Sequence, residues 1–213
     1  MQMKIQDLVL AKETDRDEKW EDLLLQALSE SHLNLMSPDP QQGPDGWPYL
    51  LVQTAENATE PAQKIIQWAA QRGIGIAINP DKEYPDFILT YGMLWSFKET
   101  AKFIHRNQLK NVGKIEINSE SIKHAGTPTE QYLPKYVRSI LKEFFRDQSV
   151  LDPKILVLSF DGTNYELAFS AESLGNPPES EWEGIAEAIS WFLPTHYSIL
   201  ILSEKLIPKF SSL

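Results

Sequence analysis

Lys154-Ile155-Leu156-Val157-Leu158-Ser159-Phe160, then Asp161-Gly162-Thr163-Asn164, then Tyr165-Glu166-Leu167-Ala168-Phe169-Ser170 stand end to end in this chain. Two runs rich in Ile, Leu, Val and Phe flank a four-residue turn signal that contains Asp-Gly. That order specifies a β-hairpin. A hairpin pairs antiparallel strands, so the fold cannot be a purely parallel α/β sheet.

Working outward from the hairpin, helices appear on both sides. Thr127-Pro128-Thr129-Glu130 has capping-box spacing with Pro at the first helical position, and the helix is expected to reach about Arg146. Pro134 falls in its second turn and predicts a kink or restart. Downstream, Ser180-Glu181-Trp182-Glu183 is a second capping box, opening a helix to Leu193 with Trp182, Ile185, Ala186, Ile189 and Phe192 on its buried face. Tyr197 to Leu202 reads as the last strand.

The first half carries the same mixture. Asp17 is placed to cap a helix over Glu18 to about Met36, with Trp20, Leu24, Ala27 and Leu28 on one face. The charged residues 12–19 ahead of and at its start read as a solvated lead-in. Tyr49 to Gln53 reads as a strand, Pro61 to Gln71 as a helix stopped by Gly73, and Ile74 to Ile78 as a strand ended by Asn79-Pro80. Asp86 to Tyr91 is a further strand, antiparallel to the last because only seven residues separate them. Gly92 ends that strand. A helix from Leu94 to Asn107 and a strand over Lys114 to Ile117 follow. The expectation is an α+β protein of two small domains, each a mixed or antiparallel sheet with helices packed on it. Residues 1–117 form the first, 118–131 a linker around Gly126 and Pro128, and 132–213 the second.

Composition narrows the chemistry. The chain has 213 residues, no cysteine and a formal net charge of −10. Disulfides, thiolate metal sites and thiol nucleophiles are excluded. The acidic balance argues against general binding to nucleic acid and to anionic membranes. No segment reads as a signal peptide or a membrane span, so a cytoplasmic protein is expected. There is no Walker lysine motif and no Gly-x-Ser-x-Gly. Gly73-Ile74-Gly75 stands after a helix, the wrong order for a phosphate loop. His32, His105, His124 and His196 are scattered, without metal-ligand spacing. No catalytic residue, cofactor or metal ligand is assigned.

Two features stand out. Lys135, Arg138, Lys142 and Arg146 follow at spacings of three, four and four, which puts them on one side of a helix. From Ile155 to Ser203 there is no Lys or Arg, against seven acids. The stripe reads either as a solvated basic face partly paired with Glu143 and Asp147 or as a docking face for acid within the domain, across a dimer or on a partner. Second, Tyr91-Gly92-Met93-Leu94-Trp95-Ser96-Phe97 crowds large apolar side chains around a glycine; Trp95 and Phe97 read first as core, with a protein interface or a small-ligand pocket as the alternatives, and Tyr91, Trp95 and Phe97 are the candidate interface anchors.

Ile155-Leu156-Val157-Leu158-Ser159-Phe160-Asp161-Gly162, Glu183-Gly184-Ile185-Ala186-Glu187-Ala188-Ile189 and Phe192-Leu193-Pro194 resemble the C-terminal domain of SseB-type (enhanced serine sensitivity) proteins. Gly75-Ile76-Ala77-Ile78-Asn79-Pro80 is similar to a strand of that family's N-terminal domain. The resemblance implies a two-domain α+β cytoplasmic bacterial protein without an established catalytic site, and it transfers no functional residue. The expected function is protein interaction without catalysis, through a protein partner or a homodimer. The alternative is a small-ligand-binding protein or enzyme with a site assembled from Asp81, Glu83, Asp86 and the region of Tyr91 to Trp95.

Overall fold

A computed structural model describes residues 3–106, 121–207 and 209–213. The fold is α+β, built on two mixed sheets. The chain divides into two compact units, residues 1–103 and 104–213. The expected strand over Lys114 to Ile117 lies outside the described residues.

In the first unit the elements are α1 (Ile5–Leu8), α2 (Glu18–Ser29), β1 (His32–Leu35), β2 (Gln41–Gln42), β3 (Pro48–Gln53), β4 (Glu60–Pro61), α3 (Ala62–Ala70), β5 (Gly75–Ile78), β6 (Phe87–Leu89) and α4 (Tyr91–Thr100). The strand order is β4-β1-β3-β5-β6, with β2 pairing β3. β3 and β5 are parallel, with Leu50 opposite Ile76 and Val52 opposite Ile78, and α3 is their crossover. β6 returns antiparallel to β5, as the short connection requires. Apolar faces of α2 and α3 supply Leu24, Leu28, Ile66 and Ala69 to the core, where Leu33, Val52, Ile76 and Leu89 are also fully buried.

The long helix expected over Glu18 to Met36 is cut short. Asp17 caps it by accepting the Trp20 N–H at 2.8 Å, but Ser29 is its last residue. His32-Leu33-Asn34-Leu35 pairs instead with β3 and β4, an alternation that buries Leu33 in the sheet. Helix α4 starts three residues earlier than expected, because the Thr90 hydroxyl caps it by accepting the Met93 N–H at 3.3 Å. Gly92 thus sits in a first helical turn and breaks nothing. Gly73 does adopt a positive φ of 71° at the α3 exit.

The second unit holds β7 (His124–Gly126), α5 (Lys135–Asp147), β8 (Lys154–Ser159), β9 (Glu166–Ser170), α6 (Trp182–Ser190), β10 (Ser198–Leu202) and β11 (Ser211–Ser212). β8 and β9 form the hairpin, with Leu156 opposite Ala168. Asp161 shapes its turn by accepting the N–H groups of Thr163 and Asn164 at 2.8 and 2.7 Å. β10 lies parallel to β9, and α6 lies on the crossover. β7 and β11 both pair antiparallel to β8, along different parts of its length.

Pro134 acts as the restart that its position predicts. Residues 129–133 form a separate turn, in which Thr129 accepts the Tyr132 N–H, and α5 begins at Lys135. Within the stretch read as linker, His124–Gly126 is a strand. The box at Ser180 is not a cap: Glu179–Glu181 form one 3-10 turn, and α6 starts at Trp182 without a side-chain cap. Trp182 is half-buried, its indole N–H donating to the Pro177 carbonyl at 3.0 Å.

Candidate functional site

Tyr91 and Trp95 belong to the core of the first unit, so the core reading of Trp95 holds and the interface reading of both does not. Tyr91 is fully buried and Trp95 nearly so. Helix α4 is buried all round from Tyr91 to Ser96, which removes both from any docking surface. Burial also drives the Tyr91 hydroxyl pKa upward. Phe97 is half-buried and stacks on Phe103 with ring centres 4.3 Å apart.

The acids between Asp81 and Asp86 separate into two kinds. Asp81 and Glu83 are exposed. Asp86 is 2% exposed and held from three sides. Arg16 reaches its Oδ1 at 2.7 Å, while Lys82 and Asn79 donate to its Oδ2 at 2.5 and 2.7 Å. Burial alone would raise the Asp86 pKa. The donors from Lys82, Asn79 and Arg16 outweigh it and hold the group below its ordinary value. Asn79, at a positive φ of 51°, also bonds the Thr54 N–H and hydroxyl. Arg16 further donates to the carbonyls of Asp86, Val9 and Ala11, and stacks over Trp20 at 4.9 Å. This network closes the carboxyl ends of β3 and β5, the position where open sheets most often bind ligands. Here Arg16, Lys82 and Asn79 all donate to Asp86, while Asp81 and Glu83 lie at the surface.

The basic stripe is also divided. Lys135 pairs with Glu130 at 2.7 Å. The Arg138 guanidinium donates to the Leu133 carbonyl at 2.9 Å and the Pro128 carbonyl at 2.7 Å, tying the turn ahead of α5 to the helix. Lys142 and Arg146 are exposed. Two stripe residues therefore shape a segment, and two face solvent.

The segment they shape walls a groove of about 380 Å³. Its lining comes from β7 (His124, Ala125, Gly126), the tethered turn (Thr127, Pro128, Thr129, Tyr132), Val157 of β8 and Tyr165 beyond the hairpin turn. Gly126 leaves open space: a Cβ built there meets no atom within 4 Å. Tyr132 is fixed by Tyr197, whose ring centre lies 4.7 Å away and whose hydroxyl donates to the Tyr132 carbonyl. Burial, with Tyr197 and Glu166 nearby, pushes the Tyr132 hydroxyl pKa up, so it stays a neutral hydroxyl at physiological pH. Tyr165 presents a half-exposed ring on the rim. The break at Pro134 is the one indirect sign of this groove in the sequence; Tyr132 and Tyr165 carry no such sign, because neither lies on a periodic stripe.

A further polar cluster occupies the carboxyl ends of β9 and β10. Glu172 accepts the Ser203 hydroxyl at 2.6 Å and the Glu204 N–H at 2.8 Å, and both contacts lower its pKa. Glu204 accepts from Ser170 at 2.7 Å and from Lys154 at 3.2 Å. The histidines are not all scattered, since the rings of His105 and His196 meet edge to face at 4.7 Å. Among the described residues no group of three or more His, Asp or Glu is placed to hold a metal, and no helix is long and apolar enough to cross a membrane. No family model, curated protein or solved structure matches this chain.

Proposed function

We propose that this chain is a protein-interaction or adaptor protein without catalysis of its own, and that the groove along β7 receives an extended segment of a protein partner. The observation that carries this reading is the groove itself. It runs beside a short edge strand, is walled by two tyrosines, and has an empty floor at Gly126. A segment in the groove would lie across the sheet face at Gly126 and Val157 and draw its contact area from the tyrosine rings, which offer it at small entropic cost. Lys142 and Arg146 supply exposed charge on the helix that the groove wall leads into, suited to steering an acidic partner more than to holding it. The net charge of −10 supports a partner other than nucleic acid. The resemblance to SseB-type proteins agrees with this reading, and a cytoplasmic bacterial setting belongs to the same proposal.

Gly126→Phe tests it. The backbone at Gly126 admits a side chain, since a Cβ there meets nothing within 4 Å, and a thermal melt like that of wild type is expected and checks that the fold is retained. Gly184→Phe, equally open but on α6, is the matched control. In affinity capture from cell extract, proteins retained by wild type and by Gly184→Phe are expected to be lost with Gly126→Phe. Identical capture by all three overturns the assignment of the groove. If the captured species is the chain itself, the partner is a second copy, and sedimentation of wild type against Gly126→Phe reads this directly.

A further inference from the structure

Leu10 and Tyr84 are the most exposed large apolar side chains of the first unit, at 79% and 71%. Single exposed apolar residues are ordinary. These two stand on segments that one buried ion network ties together. The Arg16 guanidinium bonds the carbonyls on either side of Leu10, those of Val9 and Ala11, and also the carbonyl and carboxylate of Asp86, two residues beyond Tyr84. The display is therefore set before any partner arrives, which lowers the entropic cost of binding. The surroundings are acidic. Residues 12–19 and 81–86 together hold seven acids and four cations, and two of those cations, Arg16 and Lys82, point at Asp86. Glu13, Asp15, Asp81 and Glu83 form no ion pair among the described residues.

The geometry points to a docking surface on these two stapled segments for a basic amphipathic segment of a partner protein, Leu10 and Tyr84 receiving its apolar face and the surrounding carboxylates its Lys and Arg. Charge complementarity selects this occupant. An acidic or neutral apolar segment would meet uncompensated carboxylates, whereas a basic one neutralises them. Ion pairs at such an exposed rim contribute little affinity individually, so the apolar anchors carry most of the binding and the charges set its salt dependence. This surface is separate from the β7 groove, and a chain with both is bivalent.

The test uses the full chain and a synthetic helical peptide with Lys on one face and Leu on the other. Its two controls replace every Lys by Glu, or every Leu by Ser, and binding is read by fluorescence anisotropy. The Lys/Leu peptide is expected to bind wild type, and at least ten-fold more weakly to Leu10→Ser/Tyr84→Ser. Asp81→Asn/Glu83→Gln should weaken it several-fold and flatten its salt dependence. All four positions are exposed and outside the Arg16 network, so unchanged thermal melts are expected. Neither control peptide should bind. Gly126→Phe should bind the Lys/Leu peptide like wild type, which separates this surface from the groove. Equal binding to Leu10→Ser/Tyr84→Ser, binding of the Glu peptide, or loss of binding in Gly126→Phe each overturns the proposal.

Discussion

Each unit ends a parallel strand pair in a polar cluster, and the two clusters are built on opposite terms. At the ends of β3 and β5, Asp86 is buried and meets Arg16, Lys82 and Asn79. At the ends of β9 and β10, Glu172 and Glu204 are half-buried and rely mainly on serine hydroxyls, one backbone N–H and Lys154. A carboxylate removed from water needs charged or fixed donors on both oxygens, or its desolvation goes unanswered. One that keeps water needs only local neighbours. The first cluster is therefore an all-or-nothing staple, and the second is a trim on a sheet that other contacts hold.

Removing Arg16 tests that contrast most strongly. Arg16→Met strips Asp86 of one cation and three backbone carbonyls of their donor, and should destabilise the chain by about 3 kcal/mol. Chemical denaturation measures it. Adding Asp86→Asn should recover part of the loss, because the uncompensated charge disappears with it. A loss under about 1 kcal/mol would place the two clusters in one class.

Asn79 comes next. Asn79→Ala leaves the Thr54 N–H and one Asp86 oxygen short of a partner, and places Ala at a positive φ. The expected loss is about 2 kcal/mol in the same assay.

Acid weakens both clusters, and a substitution isolates the share of the first. The Asp86 pKa is below its ordinary value in the folded chain, so the folded state favours the ionised form. Its contribution is complete above the ordinary carboxylate pKa and is lost as pH falls through the folded value. Asp161 and Glu172 are lowered too, through backbone N–H groups and a serine hydroxyl respectively, so both units weaken in acid. Asp86→Asn should flatten the fall in stability below about pH 4 relative to wild type, while leaving the slope between pH 6 and 8 unchanged. Denaturation midpoints across that range give the answer.

What the sequence made visible follows the same division between local and distant partners. The β8–β9 hairpin is readable because its strands and turn lie inside seventeen consecutive residues, as are the buried faces of α2 and α3. The parallel pairings of β3 with β5 and of β9 with β10 were not, since nothing near either strand encodes a register across a helix. Arg16 read as part of a solvated charged lead-in, yet its partner Asp86 stands 70 residues away. Tyr91 and Trp95 stand out as anchor candidates because they crowd a glycine off any apolar stripe; no stripe shows because α4 is buried all round from Tyr91 to Ser96. Arg138 read as one cation in a stripe, whereas its partners are carbonyls, which no side-chain pattern announces.

The smallest expected effect is the one that sharpens the contrast. Lys154 and Glu204 form a pair whose side chains are 37% and 31% exposed, against 2% for Asp86. Lys154→Met deletes the ammonium, but Glu204 keeps the Ser170 hydroxyl at 2.7 Å, and the Lys154 backbone N–H still donates to Ser173 at 2.9 Å. Water replaces the lost cation at little cost. The loss should be at most about 1 kcal/mol, and smaller still in 1 M salt, where screening has already weakened the pair. A salt-independent loss of about 3 kcal/mol would instead make Lys154 the counterpart of Arg16, and both parallel pairs would then end in the same kind of staple.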